Sequence, residues 1–231
     1  MSNEILKDII NDFSVDKFIR FFRLKTKKFS LNREELLKYN NDLFTEGSKL
    51  GEINFEYDKL IICAFRVKKE LSERSGKKAQ YEVGKKILKD TQSDAGIFIF
   101  YDKNRNFRFS LIFTEYFGIN REFSYFKRFT FYVSDCLTNK TFIQQIGSCN
   151  FSSLEEIKQA FSIEPVTKHF YEEIQNWYFW AMDEVKFPED FKCSDRPEKD
   201  KKIRNATNLI RLLTRIIFIW FIKEKKLIPE I

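Results

Sequence analysis

Residues 95–113 read Ala95-Gly96-Ile97-Phe98-Ile99-Phe100-Tyr101-Asp102-Lys103-Asn104-Arg105-Asn106-Phe107-Arg108-Phe109-Ser110-Leu111-Ile112-Phe113. Ile97 to Phe100 is a short unbroken apolar run, the pattern of a strand covered on both faces. Asp102 to Asn106 is made of turn-forming residues. Beyond it Phe107, Phe109, Leu111 and Phe113 alternate with Arg108, Ser110 and Ile112, and a period of two belongs to a strand. The stretch predicts a β-hairpin, so the domain is built on a sheet.

Working outward, Lys127 to Ser134 sets Phe129, Phe131 and Val133 against Arg128, Thr130 and Tyr132 and adds a third strand. Upstream, Glu52–Phe55 and Lys59–Val67 are further strand candidates. Lys77 to Lys89 reads as a basic helix whose sparse apolar positions are Tyr81, Ile87 and Leu88. Arg33 to Glu46 reads as a helix capped by Asn32 and stopped by Gly47. Residues 4–24 carry Ile5, Ile9, Ile10, Phe13, Phe18, Phe21 and Phe22 at mostly helical spacing. The 27 phenylalanines mainly fill the core of this sheet; Tyr101 and Tyr132 are less determined by the pattern.

After Asn150 the pattern turns helical. Ser153 and Glu156 form a capping-box signal ahead of Leu154, Ile157, Ala160 and Phe161. Pro165 opens a second helix through Asp183, with Phe170, Ile174, Trp177 and Tyr178 on its bulky side. Lys186 to Lys202 holds Pro188 and Pro197 and reads as a loop. A last helix runs from Lys201 to about Lys225, ahead of Pro229, and from Leu209 to Ile222 it is apolar on nearly all sides. Such a helix must be covered all round, which predicts a partner for it or a chain that is one piece of a larger protein. The fold expected is α+β: a nuclease-like mixed sheet over 1–150, then a helical connector over 151–231.

The chain has 231 residues, enough for one medium domain or two small ones. Lys plus Arg is 41 against 34 for Asp plus Glu, a formal +7. Between residues 66 and 89 stand Arg66, Lys68, Lys69, Arg74, Lys77, Lys78, Lys85, Lys86 and Lys89 against only Glu70, Glu73 and Glu82, so this segment supplies +6 of that total. Arg20, Arg23, Lys25, Lys27, Lys28 and Arg33 form an earlier basic run. Such asymmetry points to a polyanion, nucleic acid first. A lysine-rich helix is also the ordinary look of a solvated face, and that reading stays open.

Several chemistries are excluded. One histidine, His169, in an aromatic helical stretch, rules against histidine-based triads and His-ligated metal sites. Cys63, Cys136, Cys149 and Cys193 are scattered and form no C-x-x-C pair, which suits a reducing cytoplasm and not zinc. Arg74-Ser75-Gly76-Lys77-Lys78 lacks the earlier glycine and the following hydroxyl of a nucleotide-binding loop. The amino end is not a targeting signal. The longest apolar run, Ile216–Ile222, is far short of the roughly 20 residues of a membrane span, and Arg211 and Arg215 interrupt its extension, so no membrane anchor is expected.

Asn208–Pro229 (NLIRLLTRIIFIWFIKEKKLIP) resembles a helix found early in type IIG restriction–modification enzymes, single chains that join an endonuclease to an adenine-specific DNA methyltransferase. Leu71–Tyr81 (LSERSGKKAQY), Ala95–Asp102 (AGIFIFYD) and Asn106–Leu111 (NFRFSL) resemble their amino-terminal regions. The resemblance covers the part that precedes the methyltransferase core. It implies double-stranded DNA as partner, with methyltransferase and target-recognition regions on the same or a neighbouring chain. S-adenosylmethionine would belong to those regions alone, because this sequence holds neither an N-P-P-[YF] motif nor a glycine-rich cofactor loop.

The same resemblance raises endonuclease chemistry, in which two acids hold Mg²⁺ and a lysine assists at a sheet edge. Asp58 is the candidate first acid and Arg66-Val67-Lys68 stands where (D/E)-x-K is expected, so arginine replaces the second acid. Glu52 or Glu70 is then the substitute ligand, Lys68 the catalytic lysine and Gln80 an orienting group. The DNA-contacting candidates are Arg66, Lys69, Arg74, Lys77, Lys78, Lys85 and Lys86. The alternative is a non-catalytic interaction module that docks through Leu209–Ile222.

Overall fold

A computed structural model describes residues 2–117, 120–125, 129–162, 164–188, 197–224 and 227. Two helices come first, α1 (Ser2–Asn11) and α2 (Val15–Lys25). The single helical periodicity of residues 4–24 is broken at Ser14, whose extended backbone (φ −149°) starts α2. Strand β1 (Phe29–Glu35), a 3₁₀ turn at Leu37–Tyr39, β2 (Phe44–Asn54) and β3 (Lys59–Val67) follow as an antiparallel meander. Helix α3 (Lys77–Asp90) then crosses over to β4 (Ala95–Tyr101), which runs parallel to β3 with Leu60 opposite Ala95 and Phe65 opposite Phe100.

The hairpin expected from residues 95–113 is present: β4 pairs antiparallel with β5 (Phe107–Phe117), Tyr101 facing Phe107. The far edge of β5 is shared by β6 (Asn120–Phe123) and β7 (Thr130–Val133). Strand β7 is the core of the expected strand 127–134; Lys127 and Arg128 lie outside the described residues. Helices α4 (Lys140–Ser148) and α5 (Leu154–Phe161) complete this part; the Ser153 hydroxyl accepts from the Glu156 amide as expected, while the Glu156 carboxylate accepts from the Asn150 and Ser152 amides further back. The fold is α+β, with a mixed seven-stranded sheet in the order β1-β2-β3-β4-β5-β6 and β7 on β5.

Because side chains alternate along a strand, β3 and β4 feed two cores. Leu60, Ile62, Ala64, Ile97 and Ile99 face α1, α2, α4 and α5 through Leu6, Phe18, Phe22, Phe142, Ile157 and Phe161. Ile61, Cys63, Phe65, Phe98 and Phe100 face α3 through Val83, Ile87 and Leu88. Most described phenylalanines of the sheet unit are core residues as read, while Phe170, Phe179, Phe218 and Phe221 of the helical part are exposed; Phe18 stacks on Phe109 at 5.7 Å and Phe109 on Phe161 at 5.4 Å. Each buried ring contributes about 1.5–3 kcal/mol from burial.

The helix expected over 33–46 does not form. Glu34 and Glu35 pair with Lys49 and Ser48 as edge strand, and Gly47 lies inside β2. A Cβ on Gly47 would run into the Phe65 ring, so the glycine marks close packing instead of a helix stop.

The chain divides into two compact units, Met1–Glu164 and Pro165–Ile231, which leaves α5 with the sheet. The second unit holds most of α6 (Glu164–Glu184) and all of α7 (Pro197–Glu224). Within it the Asn205 side-chain amide donates to the Val185 carbonyl at 3.0 Å. Helix α7 begins inside the expected loop 186–202, while Cys193, Lys225 and Pro229 lie outside the described residues. Its carboxyl half is exposed, with Phe218 and Ile219 each at 61% and Trp220 at 60%. Over an 18-residue window its mean hydropathy is 1.3, so by length and composition this helix reaches the measure of a membrane span despite Arg211 and Arg215.

Candidate nucleic-acid interface

The expected catalytic set does not assemble. Asp58 immediately precedes β3 and Lys68 immediately follows it, and ten steps of about 3.3 Å place them roughly 33 Å apart. Glu52 lies at the Asp58 end, opposite Ile61. There its carboxylate is held by Lys49 Nζ at 2.7 Å and Lys59 Nζ at 3.3 Å, which brings its pKa down to about 2. A carboxylate engaged by two ammonium groups, beside one further acid, does not fit the donor set Mg²⁺ needs. Among the described residues no three acid, cysteine or histidine side chains come together as a metal-binding group. Glu70 is at the other end, paired with Lys103 at 3.3 Å.

The Lys68 end is where chemistry-bearing residues gather. It is the carboxyl end of the parallel pair β3–β4, the side of an open sheet at which crossover loops and helix amino ends converge. The segment 68–76 is tied down at three points. Asp102, 4% exposed, accepts from the Leu71 amide (2.9 Å) and from the Asn104 and Asn106 amides of its own hairpin turn (2.8 and 3.0 Å). The Tyr132 hydroxyl donates to the Leu71 carbonyl at 3.3 Å. Arg108 donates through Nη2 to the Ser72 carbonyl at 2.5 Å and through Nη1 to the Ser75 carbonyl at 3.1 Å.

Arg108 was legible only as the odd charge in an alternating strand, and its role was missed. It is 1% exposed and lies on the α3 side of β5, two residues from Ser110 and four from Ile112. Gln80, expected to orient a nuclease site, accepts from Arg108 Nη1 at 2.5 Å instead. Among the described residues the acceptors of Arg108 are all neutral, its Nε is buried without a partner, and burial pushes the guanidinium down to about 10.

The DNA-contacting candidates divide between two faces. Arg66 belongs to the α1–α2 side of the sheet, where it pairs with Glu46 at 2.7 Å while the Tyr101 hydroxyl donates to the same carboxylate at 3.0 Å. Arg74 is exposed in the loop, and Lys77, Lys78, Lys85 and Lys86 lie on α3, on the opposite side. Lys69 is exposed between them. The Arg20–Arg33 run sits with α2 and β1, so the two basic regions do not make one surface. Lys85 lies 5.3 Å from the Phe123 ring and Lys89 5.8 Å from it, while Lys86 lies 6.0 Å from Tyr39. These contacts set the ammonium groups themselves over aromatic rings, while Lys86 and Lys89 stay exposed to solvent. Among the described residues Lys78, Lys85, Lys86 and Lys89 form no ion pair within 4 Å. The chain matches no family model, no curated protein and no solved structure.

Proposed function

We propose that the first unit engages double-stranded DNA through the outward face of α3 and the loop before it, as the amino-terminal module of a restriction–modification protein acting in the cytoplasm. One observation carries the reading: among the described residues Lys78, Lys85, Lys86 and Lys89 of a single helix make no ion pair, and exposed Arg74 stands in the loop before it. Contacts of this kind go to phosphates and give affinity without reading sequence. Nuclease chemistry through Asp58, Glu52 and Lys68 is not part of the proposal, since strand β3 separates them. Methylation would fall to regions on the same or a neighbouring chain.

Fluorescence anisotropy with a labelled duplex tests this. About four phosphate contacts predict that Kd rises roughly a hundredfold between 50 and 200 mM salt. The double variant Lys78→Glu, Lys86→Glu should abolish binding at the lower salt. Failure of the unmodified protein to bind at 50 mM, or indifference to the double variant, would sink the DNA reading.

The exposed carboxyl half of α7 favours a second reading for the other unit, protein interaction through its apolar surface. Contiguous exposed apolar area of this kind marks a docking face. It is compatible with the first reading, because a methyltransferase region would be such a partner.

A further inference from the structure

Protein docking accounts for the apolar surface of α7 but not for its charge. Between residues 201 and 223 the helix holds Lys201, Lys202, Arg204, Arg211, Arg215 and Lys223 and no acid. Among the described residues Lys201, Lys202, Arg211, Arg215 and Lys223 form no ion pair within 4 Å. Lys201, Arg204, Asn208, Arg211 and Arg215 recur at steps of three and four, which places them along one side of the helix. Asn205 and Leu209 are buried on another side, where the Asn205 amide meets the Val185 carbonyl. From Ile216 to Phe221 every side chain is apolar and exposed, and this run passes more than once around the axis.

Tryptophan supplies a second, independent observation. The chain has three, Trp177, Trp180 and Trp220, and all of them lie exposed in this unit. An exposed indole fits a boundary where one end of the ring is wet and the other apolar, as at the surface of a bilayer.

An anionic bilayer meets these features together. It takes apolar side chains out of water on several sides of a helix, where a protein groove covers one. Its headgroups attract the cations, and its interface accepts tryptophan. Length decides between lying and spanning. Leu209–Ile222 is about 21 Å of helix at about 1.5 Å per residue, short of a hydrocarbon core about 30 Å thick, and Arg211 and Arg215 stand within it.

We propose that α7 lies in the surface of an anionic membrane. The side chains of Ile216–Phe221 sink into the acyl boundary, and the side bearing Arg204, Arg211 and Arg215 meets the lipid headgroups. The inference does not depend on the DNA reading, because α7 and α3 belong to different units.

The test uses the full chain at about 0.2 µM with vesicles of phosphatidylcholine, with or without about 30% phosphatidylglycerol, at about 0.1 M salt. Tryptophan emission reads the second unit alone, since the first contains none. Expected are co-flotation with the anionic vesicles, a blue shift of the emission, and partition at least about tenfold stronger than into phosphatidylcholine alone. Raising salt to about 0.5 M should weaken that partition severalfold. The double variant Arg211→Glu, Arg215→Glu should partition no better into anionic than into neutral vesicles. Ile217→Gln, Phe218→Gln, Phe221→Gln, which keeps Trp220 as reporter, should lose the blue shift. All five positions are exposed, so both variants should melt with the parent. Lys78→Glu, Lys86→Glu should keep both flotation and shift.

No flotation and no shift with anionic vesicles overturns the membrane and leaves protein docking as the cover for α7. Equal partition into neutral and anionic vesicles overturns the role of charge. Flotation without a shift, or its loss in Lys78→Glu, Lys86→Glu, assigns the contact to the first unit and overturns the role of α7. Duplex binding by anisotropy reads the other unit, so the DNA reading and the membrane inference fail separately.

Discussion

Arg108 Nη1 donates to Gln80 Oε1 at 2.5 Å, joining the start of β5 to the first turn of α3 on the α3 side of the sheet. The same guanidinium holds the carbonyls of Ser72 and Ser75, so one buried side chain fixes both a helix start and the loop leading into it. Replacing Arg108 by Met removes a buried charge and leaves a side chain of similar length beside Phe100 and Ile112. The change also takes the donor from buried Gln80, and a buried polar group stranded in this way costs about 1–3 kcal/mol, so global stability should fall by about that much. The loop should loosen: trypsin should cut after Arg74 at least tenfold faster in Arg108→Met. An unchanged cleavage rate would show that Arg108 does not hold the loop.

Asp102 bears on the same loop from the hairpin turn. Its carboxylate satisfies the amides of Leu71, Asn104 and Asn106 and the Asn106 side chain at once. Asp102→Ala leaves these donors without their acceptor, and a buried donor stranded in this way costs about 1–3 kcal/mol. Urea unfolding should show a loss of about 2–4 kcal/mol for Asp102→Ala, and less for Asp102→Asn, which keeps one oxygen. Equal stability of Asp102→Ala and the parent would remove the turn-to-loop tie from the account.

Glu52 makes the acid behaviour of the β2–β3 hairpin predictable. Lys49 and Lys59 hold its pKa down to about 2, below the ordinary carboxylate value of 4.5. A group whose folded pKa is depressed stabilises the fold fully above its unfolded pKa and loses that contribution as pH falls through the folded one. Stability should therefore decline between about pH 4.5 and 2, and Glu52→Gln should flatten that part of the curve and leave Lys49, buried in β2, less stable at neutral pH. Thermal melts from pH 2 to 7 decide it; parallel curves for the two proteins would contradict the pairing.

The hairpin and α3 were legible in the sequence because local pattern and tertiary role agree there. Ile97–Phe100 is a continuous run since β4 is buried on both faces, and Phe107, Phe109, Leu111 and Phe113 alternate since they point into one core. Arg33–Glu46 misleads for the opposite reason. Arg33, Glu34, Glu35, Leu36 and Leu37 are good helix formers, but pairing with Ser48 and Lys49 of β2 decides their conformation, and an edge strand exposed along its length has no alternation to betray it. The nuclease set came from the resemblance and the order of elements, with Arg66-Val67-Lys68 in the place of (D/E)-x-K, but Asp58 and Lys68 flank the two ends of one extended strand. Arg108 was visible only as a charge in an apolar alternation, and nothing local says which loop it will hold.

Helix α7 gives the last prediction. Ile216, Phe218, Ile219 and Trp220 are each at least half exposed on its carboxyl half, and they surround the helix instead of forming one stripe. At about 25 cal/mol per Å² of apolar surface removed from water, mutual burial of even a few such side chains outweighs the cost of association at micromolar concentration. The 231-residue chain should therefore self-associate in sedimentation experiments, with the apparent mass rising with concentration. The combined variant Ile216→Lys, Phe218→Glu, Trp220→Lys should sediment as a monomer and keep the DNA affinity of the parent, since the α3 face lies in the other unit. A parent chain that stays monomeric at about 100 µM would mean that these side chains are covered in solution. A variant that loses DNA binding would mean that the two units do not act separately.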